Sequence, residues 1–87
     1  MIAKEVTLLL DDLNTATVSK IVNYTKNFNS CLIIDHNGRI ANCKSLISML
    51  NLGASPPSDV VISATGLNEA DELEDFMKFL GGLGVLA

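Results

Sequence analysis

Histidine, cysteine and basic side chains are scarce in this sequence, and each shortage closes off a class of function. One histidine and two cysteines, Cys31 and Cys43, match no zinc-ligand spacing and cannot complete a tetrahedral His/Cys site. Neither a metal nor a cofactor is expected. Six Lys and Arg against ten Asp and Glu leave a net charge of −4. Such a chain has no basic surface to release phosphate counterions, which argues against nonspecific nucleic-acid binding. The imbalance is local: from Asp59 onward, Glu69, Asp71, Glu72, Glu74 and Asp75 are opposed by Lys78 alone. A partner reading that end would be basic. No apolar run approaches the ~18 residues of a membrane span. Near the N-terminus the only apolar run, Leu8-Leu9-Leu10, is hemmed in by Glu5, Asp11 and Asp12, which is no secretory signature. A cytoplasmic protein without membrane insertion is expected.

What is present suits a folded domain. The chain has 87 residues, 48% apolar and 18% charged, which is room for one core, so a single domain over 1–87 is expected. Residues 4–10 read as a strand with Val6 and Leu8 on one face. Asp11-Asp12-Leu13-Asn14 breaks it, and residues 15–27 carry Val18, Ile21, Val22 and Thr25 at the spacing of an amphipathic helix, with Asn14 or Thr15 as cap. Residues 31–35 and 39–43 flank Asn37-Gly38, the strongest short hairpin signal. That turn sets His36 opposite Arg39, as an exposed turn histidine. It puts Leu32, Ile34, Ala41 and Cys43 on the core side and Cys31 on the other, so two free thiols are expected. Ser45 opens a short helix, Leu46 to Leu52, ended by Gly53. Residues 54–58 form a stiff loop. Residues 59–65 give a fourth strand with Val60, Ile62 and Ala64 inward. Asn68 can cap a last helix with stripe Leu73, Phe76, Met77 and Leu80, stopped by Gly81-Gly82. The apolar tail 82–87 has no pattern that decides between folding back on a sheet edge and meeting another chain.

The order β-α-β-β-α-β-α predicts an α+β fold: a four-stranded, largely antiparallel sheet covered on one face by three helices. At this length it resembles the HPr family, the phosphocarriers of the bacterial sugar phosphotransferase system, over essentially the whole chain. The resemblance is sharpest at Asn37-Gly38-Arg39 and at Asn42-Cys43-Lys44-Ser45-Leu46-Ile47-Ser48-Met49-Leu50-Asn51-Leu52-Gly53. HPr proteins carry a similar Asn-Gly-Lys hairpin, then a Lys-Ser-Ile-Met type segment ending in Ser-Leu-Gly. Ile62-Ser63-Ala64-Thr65-Gly66, with Asn68 two residues on, is similar too. The implied fold is the HPr open-faced sandwich.

At the start of the first helix the sequence departs from the family's Gly-(Leu/Ile)-His-Ala-Arg-Pro-Ala. Asp12-Leu13-Asn14-Thr15-Ala16-Thr17-Val18 puts Asn14 in place of the histidine and Ala16 in place of the arginine. A phosphocarrier histidine offers a free imidazole lone pair near pH 7, whereas the amide nitrogen of Asn14 has its lone pair delocalised. Ala16 removes a charge-assisted contact to phosphate worth ~1.5–3 kcal/mol. No catalytic residue and no enzyme activity are therefore expected. The resemblance implies a second site at Ser45. In Gram-positive HPr proteins the matching serine is phosphorylated by HPr kinase, and the product binds a transcriptional regulator. Members without the histidine that keep this regulation have precedent. Kinase and regulator would read Leu46, Ile47 and Leu50, although core packing competes for at least Leu46 or Leu50. The expected function is a non-catalytic regulatory or protein-binding HPr homologue. The alternatives are a phosphocarrier with a non-histidine acceptor such as Asp11 or Asp12, or a shared fold with an unrelated binding function.

Overall fold

The structure is a computed structural model that describes residues 1–8, 15–51 and 58–86, with Ser58 described for its backbone. Its elements are β1 (Ile2–Leu8), α1 (Thr15–Thr25), β2 (Cys31–His36), β3 (Arg39–Asn42), α2 (Leu46–Leu50), β4 (Ser58–Thr65) and α3 (Glu69–Leu83). The strands form one sheet ordered β1-β4-β2-β3, and every neighbouring pair is antiparallel.

Period-two alternation decides which sheet face is apolar. Ile62 lies between Ile34 and Lys4 in register, and Ile34 pairs onward with Ala41. Ile62, Ile34 and Ala41 are buried, as are Val60, Ala64 and Leu32 in the neighbouring rows. The opposite row, Glu5–Val61–Asp35–Ile40, belongs to the uncovered face. The hairpin forms as its Asn-Gly turn requires: Asn37 and Gly38 both have positive φ, 52° and 88°, and His36 pairs with Arg39. His36 is half-buried rather than exposed, because it still belongs to β2. Cys43 is buried and Cys31 exposed, both as free thiols.

All three helices pack on the apolar face. α1 buries Val18, Ile21, Val22 and Thr25; α3 buries Leu73, Phe76 and Leu80, with Met77 partly covered. Burial of a side chain such as Phe76, which is fully enclosed, is worth about 2–3 kcal/mol. Phe76 meets Phe28 edge-on at 6.5 Å, and Tyr24 stacks on Phe79 at 3.8 Å.

Several boundaries differ from the sequence expectation. β1 starts at Ile2, because β4 supplies a partner as far as Ala64; residues 9 and 10 lie outside the described residues. α1 ends at Thr25, not 27. The Thr25 hydroxyl contacts both Val22 O and Cys43 O at 2.9 Å, and Phe28 N–H bonds Thr25 O, which tightens the last turn. α2 stops at Leu50, with Asn51 as C-cap; Leu52, Gly53 and the loop 54–57 lie outside the described residues. Asn68 is the N-cap of α3, but its side chain makes no capping hydrogen bond; its carbonyl accepts from Glu72 N–H. α3 also runs through Gly81-Gly82. The left-handed residue that ends it is Gly84, φ 76°. There Val85 N–H reaches back to Leu80 O at 3.3 Å, a closure that folds Val85 into the core. The tail then meets the sheet edge, where Leu86 bridges Leu8.

Candidate functional site

The end of the β2–β3 hairpin is tied to α2 by a compact set of hydrogen bonds. Ser45 holds extended backbone, φ −115° and ψ 117°, and its hydroxyl accepts from Ser48 N–H at 3.3 Å. That is the N-cap geometry that a serine before a short apolar helix predicts. Ser48 contributes twice, because its own hydroxyl accepts from Asn42 N–H at 2.9 Å. Asn42 Oδ1 takes Lys44 N–H, and Asn42 O takes Ser45 N–H. The Lys44 ammonium donates to Phe28 O at 2.7 Å. Strand end, cap and helix are therefore fixed from both sides.

On this mount the five residues of α2 split in one direction. Met49 faces the core at 1% exposure, whereas Leu46, Ile47 and Leu50 are 37%, 74% and 42% exposed. Core packing claims neither Leu46 nor Leu50; Met49 takes that place. Three large apolar side chains are thus presented outward next to the half-buried Ser45.

The other sequence-expected positions lie on α1. Ala16 is exposed in its first turn, and no acidic residue stands there. Asn14, Asp11 and Asp12 lie outside the described residues. His36, the single histidine of the chain, is at the hairpin turn on a different element. Among the described residues no group of His, Cys, Asp and Glu is placed to hold a metal ion, and no helix is long and apolar enough to cross a membrane.

Sequence reasoning missed a second tie that supports the same region. Glu72, in the first turn of α3, accepts from Asn29 N–H at 2.9 Å and Ser30 N–H at 2.7 Å, and from the buried Ser30 hydroxyl. The Ser30 hydroxyl, then the two amides with Lys44 nearby, hold the Glu72 carboxyl below the usual carboxylate range against the opposing pull of desolvation. The only sequence signal was the placing of an acid at a helix start. Elsewhere, burial pushes the Cys43 thiol up to about 12. Donation of the Tyr24 hydroxyl to Asp75 at 2.6 Å raises that phenol above its ordinary value.

An antiparallel sheet in this strand order, with three helices on one face and a capped short helix after the hairpin, defines an HPr-type open-faced sandwich. Residues 6–81 match the family model described as the PTS HPr component phosphorylation site, and the chain belongs to the HPr family of the phosphotransferase system. It is 40% identical over 68 residues to the phosphocarrier protein HPr of Buchnera aphidicola subsp. Baizongia pistaciae, covering 78% of this chain and 80% of that protein. Its identity to the HPr of Buchnera aphidicola subsp. Schizaphis graminum is 32% over 81 residues, covering 92% and 95%. The histidine-containing phosphocarrier protein of a mycoplasma superposes with a TM-score of 0.90 over 98% of both chains at 14% identity, a likeness of fold. Proteins of this family carry phosphoryl groups and interact with other proteins of the phosphotransferase system.

Proposed function

We propose that this chain is a regulatory or protein-binding member of the HPr family that does not relay phosphate through histidine. Ser45 is its regulatory phosphorylation site, and Leu46, Ile47 and Leu50 form its partner contact. The observation that carries this reading is the outward display of those three side chains, with Ile47 74% exposed, on a helix anchored through Ser45, Ser48 and Asn42. An apolar patch held this firmly is the kind of surface that partners read.

The start of α1 supports the negative half of the reading. Asn14 in the family's histidine position offers no free nitrogen lone pair to a phosphoryl group, and Ala16 offers no cation to hold one. At Ser45 the hydroxyl makes one long contact, 3.3 Å from Ser48 N–H. A phosphate in its place would gain charge-assisted bonds to the first amides of α2. The partner is a protein, either HPr kinase or a transcriptional regulator, and not a nucleic acid, and the setting is the cytoplasm.

The test is incubation with HPr kinase and ATP followed by intact mass and peptide mapping. One added phosphate, located at Ser45 and absent from Ser45→Ala, is expected. No added phosphate refutes the phosphorylation half. Ile47→Glu should lose partner binding, and with it phosphorylation by a kinase that reads the same patch, while keeping the fold.

A further inference from the structure

The sheet has a second surface that the α2 patch does not use. β1 is a terminal strand, and among the described residues only Leu86 pairs with its outer edge, at Leu8. In an antiparallel strand alternate residues turn N–H and C=O outward. Among the described residues the stretch from Ile2 to Val6 therefore offers an unpaired backbone edge. Beside it, between β1 and the first turns of α3, runs a groove of about 640 Å³ with Ile2, Leu73 and Met77 as its apolar lining and Lys4, Glu74 and Lys78 at its rim. Lys4 has no ion-pair partner among the described residues, and Lys78 has only a loose one, Glu74 at 3.6 Å between two exposed side chains.

We propose that this edge and groove bind an extended segment of a partner protein by strand addition, the segment carrying alternate apolar residues flanked by carboxylates. The chain's own tail does the same at the far end of the strand: Leu86 pairs with Leu8 and Val85 is buried beside it. A strand added to Ile2–Val6 continues that pairing and sends every second side chain into the groove. Carboxylates at its ends meet Lys4 and Lys78, the local basic exceptions at an end whose other charged side chains, Glu74 included, are acidic. A second copy of β1 fits poorly. Lys4 shares the helix-side register of Ile2 and Val6, whose partners Ala64 and Val60 are buried. Self-pairing would add another lysine to a groove already rimmed by two.

The probe is a short capped peptide of alternating valine and threonine with glutamate at each end, titrated into the labelled protein and followed by amide shifts. Shifts should concentrate in Ile2–Val6 and in the Leu73–Lys78 turns. The double variant Lys4→Glu/Lys78→Glu, altered at exposed positions, should weaken binding about tenfold. A peptide N-methylated on its edge-facing amides should not bind. The proposal is overturned if shifts fall on α2 or nowhere, or if the charge variant or the N-methylated peptide binds equally well. Dimerisation of the protein alone through β1 would also overturn it.

Discussion

Replacing Glu72 by alanine should cost far more than its position on a solvated helix end suggests. The carboxylate takes three donors, the amides of Asn29 and Ser30 and the hydroxyl of Ser30. Hydrogen bonds to a charged acceptor contribute ~1.5–3 kcal/mol each, and the lower end applies at a half-exposed site. Allowing for water at Asn29, the loss comes to about 3 kcal/mol, since the fully buried Ser30 has no solvent to replace its partner. For a chain of this size that lowers Tm by roughly 12–24 °C. Ser30→Ala removes only the hydroxyl bond, about 1 kcal/mol, and the double variant should fall short of the sum by a similar amount. The pH dependence gives the sign. Because the folded carboxyl is held below its unfolded value, its contribution is complete above the unfolded pKa and is lost as pH falls through the folded one. Thermal and urea unfolding of wild type, Glu72→Ala and Glu72→Gln at neutral and acid pH make the test. A gap between wild type and Glu72→Gln that stays constant into strong acid would refute the argument, because the charge would then not be what holds Ser30.

Further outcomes follow from single contacts. A thiol reagent should titrate Cys31 at once and Cys43 only after denaturant is added, since Cys43 is buried with its thiol pushed up to about 12. Gly66→Ala should destabilise by about 1–3 kcal/mol in urea unfolding, because a Cβ there would lie 2.9 Å from Ser30 Oγ and 3.0 Å from Ser30 Cα. Met49→Ala should cost about 2–5 kcal/mol by the same assay, whereas Ile47→Ala, at 74% exposure, should change stability little.

Much of the fold was legible because its local signals agree with one another. Alternation at Leu32 and Ile34 and at Val60, Ile62 and Ala64, with Asn37-Gly38 between strands, fixes both register and inner face. The stripe Val18-Ile21-Val22-Thr25 fixes α1. Ser45 was readable as a cap for the same reason: the residues that decide it are neighbours. Contacts between distant residues were not readable. Glu72 reaches Ser30 across 42 positions, and in sequence it looks like any acid at a helix start. In α2, five residues are too few for periodicity to decide whether Leu46, Met49 or Leu50 turns inward, and the sheet beneath decides it. The end of α3 was misplaced because two glycines look like a stop. This helix ends where a residue turns left-handed, and that residue is Gly84.

Loss of the histidine relay on a retained family scaffold, as proposed above, can be checked by mass. The protein is incubated with phosphoenolpyruvate and the first enzyme of the phosphotransferase system, beside an HPr that has its histidine, and both are weighed intact. Phosphate is expected on the control and none on this chain. Phosphate on this chain, lost again when Asp11 or Asp12 is replaced, would contradict it and make the protein a carrier with a different acceptor.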